Sequence, residues 1–282
     1  YILNHGSDYL NNKYIPKAIT GEYILAVAMT EPDAGSDLSA LRTSAEDMGG
    51  HYLLNGNKTY ISNGLCGDIF IVAARTDVKK PHAISLFVVE GSWEGFRRGA
   101  KLNKMGMKSQ DTAELFFDNV KVPKENLLGK EGEGFKYLMG GLAKERLTCA
   151  AWNLGTTEYA FNLTKEFVCE RKVFNKYLSE MQNTQFKMAE LRARIDMAQA
   201  FVDTMVANIN RGDHDSVAAS KAKLLSSELL CDVADEGVQL HGGAGYMDEY
   251  PISRVFTDAR ITRIFAGTSE IMKLIIARSI FE

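Results

Sequence analysis

From Tyr23 to Met29 the chain is almost continuously apolar, too short for a confident helix and suited to a strand buried on both faces. His51–Leu54 and Lys58–Ile61 flank Asn55-Gly56, the dipeptide that most readily takes the positive φ angles of a tight hairpin. Asp68–Ala74, Ala83–Val89 and Ala113–Val122 are rich in Ile, Val and Phe and continue the pattern. Short strands at this spacing, with little helical periodicity between them, predict a small β-barrel or sandwich over residues 23–128.

The period changes after Gly132. Met188, Leu191, Ile195, Ala198, Val202, Met205 and Ile209 recur at alternating steps of three and four, which lays one apolar stripe along a long helix. Asp213 or Asp215 can cap the next helix, through Leu224, Leu225, Leu229, Val233 and Val238. A last helix begins after Gly267, capped by Thr268 or Ser269, and is expected to bury Ile271, Leu274 and Ile275. Residues 129–282 thus predict an antiparallel α-helical bundle whose Met residues fill the core. The expected fold class is α+β, a small β-domain followed by that bundle. Residues 1–22 read as the end of a helix around Tyr9–Ile19, running into Pro16 and Gly21.

Composition narrows the function classes. Apolar residues make 45% of the chain and charged residues 24%, the balance of a globular protein. A net charge of −3 gives no electrostatic case for nucleic acid or an anionic membrane surface. No run of about 18 apolar residues predicts a membrane span. Cys66, Cys149, Cys169 and Cys231 are widely spaced, so neither a metal site nor a redox pair is suggested. The chain starts at Tyr1, and its beginning reads as a truncation.

Three glycine-rich segments are candidates for chemistry. Gly129–Gly134 lacks the Gly-Lys-Ser/Thr ending of a phosphate loop and reads as a linker. His241-Gly242-Gly243-Ala244-Gly245 follows a helix, which disfavours a nucleotide-binding Rossmann turn and favours a helix C-cap. Gly35-Ser36 follows Thr30-Glu31-Pro32 at a strand end, where backbone N–H groups and hydroxyls can hold phosphate or a polar ring edge.

The segments AMTEPDAGSD (Ala28–Asp37), KMGMKSQDTAELFF (Lys104–Phe117), ERKVF (Glu170–Phe174), QLHGGAGYMDEYP (Gln239–Pro251) and RIFAGTSEIMKLIIAR (Arg263–Arg278) resemble, in order and spacing, the signatures of acyl-CoA dehydrogenases. The long-chain branch is the nearest in look, through Lys104, Gln239 and the Glu145-Arg146 pair. The resemblance implies FAD between β-domain and bundle, with part of each site supplied by a neighbouring subunit. It implies that Val27, Ala28, Met29, Thr30, Glu31, Pro32, Asp33, Ala34, Gly35 and Ser36 line the flavin and pyrophosphate, with Tyr60, Ile61 and Ser62 on a strand beside the ring. Arg171, Phe174, Gln182, Gln239, Leu240, His241, Gly242 and Gly243 match positions that reach a partner's FAD. Thr268, Ser269 and Glu270 match a further flavin contact. Ser36, Arg146, Phe265, Ala266 and Gly267 are the expected substrate-facing residues.

The implied reaction removes an α-proton from an acyl-CoA while a hydride leaves the β-carbon for flavin N5, giving the trans-2-enoyl-CoA. Many family members place the base immediately before the Gly-Thr of the last signature. Here that residue is Ala266, which cannot take a proton. In the long-chain and isovaleryl branches the carboxylate comes from a Glu-Arg pair that matches Glu145-Arg146, so Glu145 is the expected base. The resemblance also implies a homo-oligomer, a dimer of dimers, and electron-transferring flavoprotein as electron acceptor. It implies that only the last helix of an N-terminal helical domain is present. The expected location is cytoplasmic in a bacterium and the mitochondrial matrix in a eukaryote. An acyl-CoA oxidase on the same fold and a non-catalytic homologue are the alternatives.

Overall fold

The computed structural model describes residues 1–77, 80 and 83–282, which divide into two compact units. The first comprises residues 1–104 and 108–141, the second residues 105–107 and 142–282.

In the first unit, α1 (Ile2–His5) and α2 (Asp8–Thr20) precede the sheet. The Ser7 hydroxyl caps α2 by accepting from Leu10 N at 3.3 Å, and Gly21, at φ 78°, ends it. The strands are β1 (Leu25–Ala28), β2 (Ser44–Asp47), β3 (His51–Ser62), β4 (Ile69–Arg75), β5 (Ile84–Glu90), β6 (Phe96–Lys101), β7 (Thr112–Pro123) and β8 (Leu127–Leu128). They form one eight-stranded sheet in the order β6-β7-β3-β2-β4-β5-β8, with β1 parallel to β4.

β4 and β5 are mostly apolar and buried at six successive positions each because both faces of the sheet are covered there. Phe70, Val72, Phe87 and Val89 join Leu54, Leu115 and Val120 in one core. Ile69, Ile71, Leu86 and Val88 join Leu10, Tyr14, Leu41 and Leu138 in the other. Tyr14 anchors α2 to this second core by donating to Glu90 at 2.8 Å and accepting from Asn126 at 3.0 Å. Burial pushes its phenol up to about 12.

The hairpin expected at Asn55-Gly56 does not form. β3 runs straight through this dipeptide against β7, with register irregularities between Leu54 and Gly56 and between Lys58 and Ile61. Gly56 serves close approach, since a Cβ there would lie 2.5 Å from Thr43 Oγ1. Asn55 instead clasps β7, its Oδ1 accepting from Asn119 N at 2.8 Å. Residues up to 141 stay with the sheet because β8 pairs β5 and Leu138 is buried in the second core.

The second unit is helical: α3 (Gly134–Glu170, entering from the first unit), α4 (Gln182–Asn210), α5 (Ser216–His241), α6 (Pro251–Ala259) and α7 (Ser269–Phe281). A ribbon of β9 (Lys172–Val173) and β10 (Lys176–Tyr177) joins α3 to α4. The predicted α4 stripe is the core face: Leu191, Ile195 and Val202 are buried, with Met188, Ala198, Met205 and Ile209 packed around them. Of the two candidate caps, Asp215 caps α5, its carboxylate accepting from Val217 N and Ala218 N. Gly237 lets α5 lie close to its neighbours, since a Cβ there would meet Ile252 Cδ1 at 2.7 Å and Thr164 Oγ1 at 2.8 Å.

α7 departs from expectation. It buries Ser269 and Met272, while Leu274 is 45% exposed and Ile271 and Ile275 are half-buried. The helix packs on α5, while Leu274, Ile280 and Phe281 remain exposed. Among the described residues, no helix is long and apolar enough to cross a membrane and no group of acidic, Cys or His side chains forms a metal cluster.

Candidate active site

The first unit presents a loop at the end of β1. Val27 and Ala28 pair with Ile71 and Val72 of β4, and Ala28 is buried. Beyond the strand, Thr30 O accepts from Thr59 N at 2.9 Å, and Glu31 and Ala34 exchange backbone hydrogen bonds at 2.9 and 3.2 Å. This tight turn leaves Pro32, Asp33, Gly35 and Ser36 exposed, with Met29 and Thr30 half-buried. A Cβ at Gly35 would stand in open space.

The side chains of Glu31 and Ala34 face inward. The Glu31 carboxylate is 5% exposed, lies 2.8 Å from the fully buried Lys58 ammonium, and accepts from Arg42 N at 2.6 Å and Thr43 N at 3.0 Å. Lys58 also donates to Met29 O at 3.0 Å. Burial lowers the Lys58 ammonium to about 8 against the pull of Glu31. Burial would raise the Glu31 carboxyl, but Lys58 and the N–H donors outweigh it and hold the group below 4.5. Ile61 is likewise a core residue, whereas Tyr60, in the left-handed region at φ 59°, and Ser62 point outward. The bulge between Lys58 and Ile61 turns Tyr60 out, leaving it 70% exposed.

In the second unit Glu145 and Arg146 lie on α3, opposite the turn from Phe265 to Thr268. Glu145 is half-buried. Arg146 is buried and faces the protein, donating from Nη1 to Ser220 Oγ at 3.2 Å, with Nε 3.5 Å from Ala266 O. Arg146 therefore braces the turn. Lys223 of α5, also fully buried, donates to Gly267 O at 2.7 Å. Burial lowers its ammonium to about 8, opposed by Cys149 and Glu270 and assisted by Arg146. Ala266 at φ 53° and Gly267 at φ 96° make two successive left-handed residues. Phe265 lies beside Trp152, ring centroids 6.1 Å apart. Thr268 caps α7 by accepting from Ile271 N at 3.3 Å, Glu270 is exposed, and the buried Ser269 Oγ finds no partner among the described residues.

The remaining predicted residues gather elsewhere in this unit. About 25 helical residues, roughly 38 Å at the α-helical rise, separate Glu145 from the end of α3. There Arg171 is exposed, and Phe174 and Asn175, both at positive φ, form the two-residue turn of the β9–β10 ribbon. Phe174 is 94% exposed at the tip of that turn. Gln182 opens α4 and is exposed, as are Gln239, Gly242 and Gly243 at the end of α5, while Leu240 is half-buried. Gly242 is the helix C-cap at φ 61°. His241 is packed internally, stacked on Phe167 at 4.2 Å with Nδ1 2.7 Å from Gly237 O, and burial lowers its pKa.

Each patch suits one part of a dinucleotide flavin by its donor set. The first-unit loop offers hydroxyls, an open glycine and an outward tyrosine. The far end of the second unit offers an exposed guanidinium, carboxamides and glycines with room for a ligand beside them. Lys58 and Lys223 escaped the sequence reading because a lysine is expected at the surface. One signal was available for Lys223, which lies on the same α5 stripe as Ala219, Ser226 and Leu230, all buried.

Residues 26–120 match the family described as acyl-CoA dehydrogenase, middle domain, and residues 132–281 that described as acyl-CoA dehydrogenase, C-terminal domain. A long-chain specific acyl-CoA dehydrogenase of mitochondria from Mus musculus is 48% identical over 99% of this chain, which spans 66% of that relative's length. The crystal structure of an acyl-CoA dehydrogenase from Geobacillus kaustophilus superposes with a TM-score of 0.98 at 47% identity, covering 99% of this chain and 74% of that one. A chain in a structure described as the electron transferring flavoprotein of Acidaminococcus fermentans superposes with a TM-score of 0.96 at 39% identity, covering 100% of this chain and 74% of that one. Matched by both family descriptions over most of its length, the chain belongs to the acyl-CoA dehydrogenase family.

Proposed function

We propose that this chain carries the core of an FAD-dependent oxidoreductase that desaturates an acyl-CoA thioester between its α- and β-carbons, with Glu145 as the base. One observation carries the assignment of the base: Arg146, the next residue on α3, sits 3.5 Å from the carbonyl of Ala266, the position at which the chain has no carboxylate of its own. That contact brings the Glu145 turn of α3 against the Phe265–Gly267 turn.

A thioester α-proton is weakly acidic, so its removal requires a carboxylate held against it and donors directed at the thioester oxygen. In this reading Glu145 takes the α-proton, and the backbone N–H of Ala266 donates to the thioester oxygen as negative charge develops there. FAD supplies the two-electron acceptor for the hydride leaving the β-carbon. In the first unit the exposed Gly35-Ser36 turn, Thr30, Tyr60 and Ser62 are proposed as flavin contacts; in the second unit, taken by itself, the Thr268–Glu270 cap is. The separation of about 38 Å along α3 supports assigning Arg171, Phe174, Gln182 and Gln239–Gly243 to the flavin of a second copy, so we read the active form as a homo-oligomer. Residues 23–128 are read as the flavin- and acyl-CoA-binding domain and residues 129–282 as the domain of base and assembly. Electron-transferring flavoprotein is the proposed acceptor, supported by the likeness to the Acidaminococcus fermentans chain.

The test is Glu145→Gln in the complete protein. The variant is expected to keep its flavin while acyl-CoA no longer bleaches it under anaerobic conditions; bleaching at the parental rate would remove Glu145 from the role.

A further inference from the structure

We infer that Lys223 is a positioning residue for this reaction: by holding the carbonyl of Gly267 from behind, it fixes the turn that aims the Ala266 N–H at the thioester oxygen. The inference rests on the reading of residues 265–267 as substrate-facing. It adds a residue to that site which no signature segment of the chain contains.

The turn does not hold itself. Ala266 is an L-residue in the left-handed region, which costs on the order of 1–2 kcal/mol, and such a conformation persists only where its surroundings enforce it. Gly267 follows at φ 96°, where a Cβ would meet Met272 Cε at 2.6 Å. Behind these residues stand two buried cations. Lys223 donates to Gly267 O at 2.7 Å, and Arg146 Nε lies 3.5 Å from Ala266 O. On the near side Phe265 N donates to Ile261 O at 3.1 Å, and on the far side Met272 N donates to Thr268 O at 2.9 Å. Both peptide carbonyls after Phe265 are thus directed inward, while among the described residues the Ala266 N–H has no protein acceptor.

Lys223 is an expensive way to satisfy one carbonyl. A desolvated ammonium costs several kcal/mol, and an apolar side chain would serve packing against Ala219, Ala222 and Ser226 more cheaply. Its chemistry suits the reaction better than the fold. Besides fixing the peptide plane, it places positive charge behind the turn on which negative charge accumulates at the thioester oxygen. The charged and titratable groups around it are Arg146 and Cys149 from α3, Glu228 from α5 itself and Glu270 from α7.

The experiment uses the complete flavin-loaded protein and its Lys223→Met, Lys223→Gln and Lys223→Arg variants. Two quantities are measured: steady-state desaturation of an acyl-CoA, and the pH midpoint at which a bound 3-thia-acyl-CoA loses its α-proton, read from its absorbance beside the flavin. For Lys223→Met we expect flavin content to hold and kcat to fall between about tenfold and a hundredfold, with KM changed far less. The midpoint is expected to rise by about one pH unit, since the thioester oxygen is less polarised. Lys223→Arg should recover part of both losses, and Lys223→Gln should lie between. Parental kcat and midpoint in Lys223→Met or Lys223→Gln overturn the inference, and so does loss of flavin from both, which would make Lys223 a folding residue. A parent that neither bleaches with acyl-CoA nor deprotonates the analogue sinks the dehydrogenase reading itself, and the inference with it.

Discussion

Each unit holds a candidate ligand-facing turn by a buried lysine, but with opposite chemistry. Behind the Glu31–Ser36 turn, Lys58 meets a carboxylate, and the pair is completed by two backbone N–H donors and one carbonyl. Behind the Ala266–Gly267 turn, Lys223 meets only a neutral carbonyl, with a second cation beside it. The first arrangement is closed in charge and depends on both partners. The second sets two buried cations next to a turn read as catalytic, offset only in part by Glu228 and Glu270, which is poor fold engineering and good electrostatics.

The largest effect that separates the two should come from Lys58→Met. It strands the Glu31 carboxylate in the interior and is expected to cost about 3–5 kcal/mol, measured by urea denaturation. Adding Glu31→Gln should return much of that loss, and a double variant no better than the single would refute the pairing. Lys223→Met leaves behind only a neutral acceptor, so its stability cost should be smaller, about 1–3 kcal/mol. Equal losses at the two lysines would erase the contrast. Thr268→Ala removes the cap of α7 and should cost about 1 kcal/mol, visible as a lowered Tm with retained flavin.

The acid response sharpens the comparison further. Because Glu31 is held below 4.5 in the folded state, its stabilising contribution is fully present above pH 4.5 and is lost as pH falls through the depressed value. Tm measured downward from pH 5 should therefore fall more steeply in the parent than in the Glu31→Gln, Lys58→Met double variant. Parallel curves would place the acid sensitivity elsewhere.

Much of this was legible in the sequence wherever one residue type has one favoured use. The three-four spacing of Leu191, Ile195 and Val202 could only be a helix face, and each of two caps was narrowed to a pair of residues, of which Asp215 and Thr268 are the ones used. Asn55-Gly56 misled because its dihedral freedom suits a bulge as well as a turn, and the choice was made by a partner strand some 60 residues away. The open apolar side of α7 was hidden for a related reason, since periodicity identifies a stripe but not what covers it. The site residues split similarly. Signature positions such as Gly35, Tyr60 and Gly242 could be named from their segments, whereas inward-facing Glu31, Arg146 and His241 required the packing that redirects them.

The Glu31–Lys58 pair has a consequence for how this chain can change over generations. Replacing either member first leaves an ion without its counterpart inside the protein, so single steps away from the pair pass through a crippled intermediate. The two positions, 27 residues apart, are therefore bound to be inherited as one unit.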